Sequence, residues 1–95
     1  MYQIDYTNQF QRSLKKCVKR GLDIEKLRTA IKILAEQGTL PANYKPHILS
    51  GNMDGIWECH IQSDWLLTWS QDDTILHLLM LDTGTHSDLF GKNRK

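Results

Sequence analysis

Three histidines and one aspartate are the residues of this chain best fitted to chemistry. His47 precedes a strand-like stretch, His60 lies inside it, Asp64 sits at the polar break that follows, and His86 comes near the C-terminus in Thr83-Gly84-Thr85-His86-Ser87-Asp88-Leu89-Phe90. Imidazole gains and loses a proton near neutral pH, so several of them gathered beside one carboxylate make a proton-transfer site. The stretch from Gly55 to Leu67 is the hub of that reading. Its alternation puts Ile56, Glu58 and His60 on one face of a strand and Trp57, Cys59 and Ile61 on the other, the second set reading as core. Asp64 at the hairpin is close enough to orient an imidazole, and Gly84 gives the chain freedom to turn sharply before His86.

Plainer readings compete with this one. A single histidine in a small domain is more often a packing or surface residue than a catalyst, and His77, inside the apolar run Ile75–Leu81, is assigned that way. Asp64 would also serve as a turn cap, and Phe90 would also close a core. Trp65 and Trp69 are strand formers, more often buried than stacked on a base. A metal site from His47, His60, Asp64 and Cys59 is chemically conceivable. However, Cys59 faces away from His60 and no compact spacing such as HxxxH occurs, so neither metal nor cofactor is expected.

The elements that must position these groups follow from periodicity and capping. Tyr2–Tyr6 alternates as a half-buried strand. Thr7 is an N-cap for a helix running to about Arg20, with Gly21 beyond its end and Phe10, Leu14, Cys17 and Val18 on its inward face. Asp23 caps a second helix through about Gln37, ended by Gly38, with Ile24, Leu27, Ala30, Ile31 and Leu34 as its buried stripe. Pro41 and Pro46 punctuate a connector that leads into extended chain at His47-Ile48-Leu49. Strands then follow at about Ile56–Ile61, Trp65–Trp69 and Thr74–Leu81, joined by hairpin-length links. The pattern predicts a single α+β domain over residues 1–95, an N-terminal strand and a two-helix hairpin packed on an antiparallel sheet, with a basic tail at 91–95.

At 95 residues the chain supports one core, and 40% apolar with 24% charged residues is ordinary for a soluble protein. The longest apolar run is too short to span a membrane, and the N-terminus has no secretory pattern. Cys17 and Cys59 lack CxxC spacing and read as reduced thiols of a cytoplasmic protein. The formal net charge of +1 hides a segregation. Met1–Ser50 holds nine basic against four acidic residues, whereas Gly51–Gly91 holds seven acidic residues and no Lys or Arg. A polyanion is therefore drawn to the first half and to the tail Lys92, Arg94 and Lys95.

Four pieces in order carry a resemblance. They are the helical hairpin, Tyr44-Lys45-Pro46-His47-Ile48-Leu49-Ser50-Gly51, Glu58-Cys59-His60-Ile61-Gln62-Ser63-Asp64-Trp65-Leu66-Leu67, and Gly84-Thr85-His86-Ser87-Asp88-Leu89-Phe90. Together they resemble the YafQ branch of the RelE-type bacterial toxins over nearly the whole chain. The resemblance implies a fold similar to a microbial ribonuclease core, with helices backing a curved antiparallel sheet. It also implies a ribosome-dependent, metal-independent endoribonuclease that cuts translated mRNA and is held inactive by a cognate antitoxin. Under it, His47, His60, Asp64 and His86 match catalytic positions, while Trp65, Phe90 and Lys45 are expected at the substrate. His86 is expected as general acid, His60 or His47 as base or phosphate stabiliser, and Asp64 as orienter or auxiliary base. Arg12, Lys15, Lys16, Lys19 and Arg20 would meet ribosomal RNA. The family usually carries arginines where this chain has Trp57 and Asp82, and Asp82 would add negative charge near a phosphate.

Three functions therefore stand side by side. The first is the ribosome-dependent mRNA endoribonuclease. The second is a catalytically weak toxin homologue that acts mainly by binding its antitoxin, as a corepressor in a hetero-oligomer whose DNA contacts come from the antitoxin. The third is an unrelated small α+β domain that binds a partner or a metal.

Overall fold

The computed structural model describes residues 1–53 and 55–91, with Asn52 described through its backbone only. The basic tail residues Lys92, Arg94 and Lys95 lie outside the described residues, as does Asp54. In chain order the elements are β1 (Gln3–Tyr6), α1 (Asn8–Lys19), α2 (Ile24–Gln37), β2 (His47–Ile48), β3 (Trp57–Gln62), β4 (Trp65–Asp72) and β5 (His77–Gly84). Short 3-10 turns at Ala42–Tyr44 and Gly51–Met53 flank β2, and a π-helical turn at Ser87–Gly91 follows β5.

The helices start and stop where their caps dictate. The Thr7 hydroxyl accepts the Phe10 N–H at 2.9 Å and donates to the Leu81 carbonyl, tying the start of α1 to β5. The Asp23 carboxylate accepts the Glu25 N–H at 3.0 Å at the start of α2. Gly38 ends α2 at φ +73°, and the Tyr2 ring fills the space a side chain would need there. No helix among the described residues is long and apolar enough to cross a membrane.

The five strands form one sheet in the order β1-β5-β4-β3-β2. Four of them pair antiparallel as their short links require, but β1 lies parallel to β5, with Gln3 opposite His77 and Tyr6 opposite Met80. The sheet is therefore mixed, which corrects the all-antiparallel expectation; the helical hairpin between β1 and the meander supplies the crossover that parallel pairing needs. The last strand is also shifted from its expected span, Thr74–Leu81. Asp72 accepts the N–H groups of Thr74 and Ile75, so these residues form a turn, and Leu76 takes a left-handed conformation at φ +54°. Alternate residues Cys59, Trp65, Leu67, Trp69, Leu78 and Met80 face the helices and pack on Phe10, Cys17, Leu27, Ala30 and Leu34. Trp57 completes this layer by stacking on Trp69 at 5.9 Å.

Candidate active site

The other face of the sheet collects the polar side chains. In the β2–β3 pair His47 lies opposite Glu58, and His60 follows two residues along the same face. Glu58 in turn faces Thr68 on β4, and Thr68 faces Asp82 on β5. The face is not bare. Leu66 and Thr68 are buried, and so is Glu58.

Asp64 sits at the turn between β3 and β4, just after a register shift between His60 and Gln62. Its Oδ1 accepts two N–H groups of one residue, the His86 backbone N–H at 2.9 Å and the ring nitrogen Nδ1 at 2.6 Å. These bonds, the backbone one first, hold the Asp64 carboxyl below the usual carboxylate range. An ionised Asp64 requires the proton of His86 on Nδ1, which leaves Nε2 for substrate. The His60 ring lies 5.8 Å from the His86 ring, centre to centre, at 58°. His60, Asp64 and His86 thus converge from β3, the β3–β4 turn and the segment after β5.

His47 stands apart in its pairing. Its Nε2 lies 3.1 Å from Glu58 Oε1 and its Nδ1 lies 2.9 Å from the Lys45 carbonyl oxygen. Lys45 itself is exposed and takes a left-handed conformation at φ +52°. Cys59, the neighbour of Glu58 in β3, points into the core, and burial followed by the Glu58 charge pushes its thiol up to about 12. No group of three or more His, Cys, Asp or Glu residues among the described residues is placed to hold a metal ion.

The segment that carries His86 is anchored by contacts that sequence reasoning missed. Arg20, at the end of α1, grips Asp88 through both guanidinium nitrogens, at 2.5 and 3.1 Å. The Thr85 N–H donates to the Asp88 carboxylate at 2.9 Å, and the Asp88 N–H donates back to the Thr85 hydroxyl at 3.1 Å. The Arg20 guanidinium holds the Asp88 carboxyl far below the usual carboxylate range, with the Thr85 bonds adding to it. Gly84, at φ +153°, lets this carboxylate approach, since a β-carbon there would meet Asp88 Oδ2 at 2.7 Å. The spacing Thr85-x-x-Asp88 is a capping box, and was the available signal. Its arginine partner, 68 residues away in sequence, gave none.

Three of the expected residues have partners in the structure that the sequence did not indicate. Trp65, expected at the substrate, is 2% exposed and donates its indole N–H to Thr83 Oγ1 at 2.9 Å, so it is a core residue. Arg20, expected at ribosomal RNA, is committed to Asp88, while Arg12, Lys15, Lys16 and Lys19 are exposed on α1. Asp82, expected to load the site with charge, accepts at Oδ1 from the Ser13 hydroxyl at 2.5 Å and from the Thr83 N–H at 2.9 Å. Phe90 is half-buried in the π-helical turn. His77 pairs with Asp5 at 2.8 Å on the opposite edge region of the sheet, away from Asp64 and His86.

A family model described as "Bacterial toxin of type II toxin-antitoxin system, YafQ" matches residues 2–91. The chain belongs to the YafQ family. It is similar to the mRNA interferase toxin YafQ of Escherichia coli strain K12, with 36% identity over 89 residues, 93% of this chain and 95% of that protein. The crystal structure of YafQ from E. coli strain BL21(DE3) matches the fold with a TM-score of 0.88 at 34% identity, covering 96% of this chain and 100% of that one. YafQ in the crystal structure of the E. coli DinJ-YafQ complex matches with a TM-score of 0.86 at 35% identity, over 96% and 100% of the two chains. The mixed sheet with two packed helices is thus the YafQ fold, RelE-like in architecture.

Proposed function

We propose that this chain is an endoribonuclease toxin that cuts translated mRNA on the ribosome by histidine acid–base chemistry and is held inactive by a cognate antitoxin. The observation that carries the reading is the His86 ring fixed by Asp64 at 2.6 Å with the His60 ring 5.8 Å away. Two imidazoles at that separation can flank one phosphodiester. His60 takes the proton of the 2′-hydroxyl, and the 2′-oxygen attacks phosphorus. His86, as imidazolium, gives its Nε2 proton to the departing 5′-oxygen, leaving a cyclic phosphate and a free 5′-hydroxyl. Asp64 keeps the Nδ1 proton in place through both states and stabilises the charged ring. Half-buried Phe90, four residues after His86, is suited to stack on a base.

The exposed Arg12, Lys15, Lys16 and Lys19 supply a basic face for ribosomal RNA. The antitoxin is inferred from the DinJ-YafQ assembly of a similar protein. One observation favours a second reading, a weak nuclease that acts mainly by binding its antitoxin. The two positions expected to carry arginines hold Trp57, stacked in the core, and Asp82, bonded to Ser13. Single-turnover cleavage of mRNA on ribosomes, with the cut ends mapped, separates the two. The first reading expects cutting by the parent chain and a loss of about 10²–10⁴-fold in His86→Ala. Equal rates for parent and variant would remove the acid assignment.

A further inference from the structure

The segment that delivers His86 is held along one side by a helix rather than by a strand. β1 stops at Tyr6, opposite Met80, so residues 81–84 have β4 on one side and no strand on the other. α1 takes that place. The Thr7 hydroxyl donates to the Leu81 carbonyl at 2.9 Å and the Ser13 hydroxyl to Asp82 Oδ1 at 2.5 Å, while Arg20 grips Asp88 beyond His86. Ser13 and Arg20 are seven residues apart, which puts them on one face of the helix and about 10 Å from each other along it.

A bulge in the sheet aims Asp82 at this helix. Trp69 pairs with Met80 but the preceding Thr68 pairs with Asp82, which leaves Leu81 as an extra residue in β5. The alternation shifts there: Met80 and Thr83, three residues apart, are both buried, and Asp82 between them reaches Ser13. Ser13 is itself buried in the middle of α1, and its hydroxyl also accepts from Gln9 Nε2 at 3.0 Å. On the strand side, Asp82 Oδ1 accepts the Thr83 N–H. The Thr83 hydroxyl in turn donates to the Leu66 carbonyl and accepts the indole N–H of Trp65, the residue after Asp64. Among the described residues Asp82 pairs with no Lys, Arg or His. Its carboxylate is a joint between α1, β5 and the start of β4, built from hydrogen bonds alone.

We propose that Asp82 is a positioning residue: with Ser13 it fixes the end of β5 against α1 and so sets where His86 stands beside Asp64. A position at which the resemblance expects an arginine serves here as an anchor. Its part in the reaction rests on the cleavage reading above, whereas the anchoring can be measured without cleavage. In the full chain, NMR amide exchange should show the His86 N–H, bonded to Asp64, exchanging faster in Asp82→Ala by about tenfold, the worth of one hydrogen bond. Amides of the β3–β4 pair, which report global opening, should change less. Ser13→Ala should act in the same way, and alanine leaves the helix intact. Single-turnover cleavage at saturating ribosome should fall by about 10–100-fold in Asp82→Ala, with the half-saturating ribosome concentration unchanged. Asp82→Asn keeps Oδ1 as an acceptor and should recover most of that loss. Asp82→Arg should be slower than the parent, although it restores the expected charge.

Exchange at His86 that tracks the β3–β4 amides in Asp82→Ala and Ser13→Ala overturns the anchor, and Ser13→Ala decides the matter alone if Asp82→Ala does not fold. Cleavage by Asp82→Ala or Asp82→Arg as fast as the parent, or faster, removes Asp82 from any positioning role. Selective exchange at His86 in a chain that cuts no mRNA would instead sink the cleavage reading and leave the anchor standing.

Discussion

The clamp between Arg20 and Asp88 allows the sharpest prediction, because its energetic and catalytic consequences should differ in size. Arg20 is 42% and Asp88 22% exposed at the side chain, so solvent screens the pair. Despite its two-pronged geometry, removal should cost about 1 kcal/mol or less of folding stability. For a domain of this size that lowers Tm by about 4–8 °C at most. Asp88 also holds Thr85, one residue before His86, so freeing it should loosen the ring to which the proposed mechanism assigns the leaving-group proton. A misplacement near 1 Å can cost about 10²-fold in rate. Arg20→Ala should therefore lower single-turnover cleavage at saturating ribosome by about 10–100-fold, well beyond its effect on stability. Asp88→Asn should do the same, and the double variant should be no worse than either, since both remove one interaction. The assay is cleavage measured across a ribosome titration. Full recovery of Arg20→Ala at high ribosome concentration would show that this guanidinium serves RNA binding, and the clamp argument would fail.

Other outcomes follow from the same contacts. The carboxyls of Asp64 and Asp88 are depressed in the folded state, so their stabilisation is complete above the unfolded value of about 3.9 and is lost as pH falls below it toward their folded values. Urea unfolding should accordingly show little change between pH 7 and 5 and a decline below about 4; a decline that Asp88→Asn leaves just as steep would count against this source. Cys17 and Cys59 are 1% and 0% exposed with thiols raised by burial, so an alkylating reagent should label neither until the chain unfolds. Rapid labelling of the native protein would refute their placement. Trp65→Phe removes the indole N–H that the Thr83 hydroxyl accepts, leaving that hydroxyl only its own bond to the Leu66 carbonyl, and should destabilise by about 0.5–1.5 kcal/mol in chemical unfolding, whereas a solvent-facing tryptophan would show almost no loss.

Much of this architecture could be read from local chemistry. Thr7, Asp23 and Gly38 announce helix ends because capping acts over three or four residues, and α1 and α2 lie within a residue or so of their expected spans. The placement of Glu58 and His60 on one face follows from the two-residue repeat of a strand. Asp64 could be read as the orienter of an imidazole, but that the imidazole is His86, 22 residues away, came only from the structure. What could not be read depends on distant contacts. The parallel union of β1 with β5 leaves no mark in either strand. Arg20 looked like one more solvated charge on a basic helix face until Asp88 met it. Under the resemblance Trp65, next to Asp64, looked available to substrate, while strand alternation turned it inward. The Asp72 turn consumed residues whose apolarity, Ile75 and Leu76, resembled the start of a strand.

The position of β5 between β1 and β4 also bears on how the molecule comes into being. The fifth strand is made after the other four, yet it is the one on which the first strand must lie and the one that leads into His86. Until it has been made, β1 has no neighbour in the sheet and His86 has no mount. Assembly must therefore wait for contacts spanning more than seventy residues, a slow class of closure. A chain built this way brings His86 to Asp64 only after β5 has been made, so an antitoxin that met it earlier would find that pair still unformed.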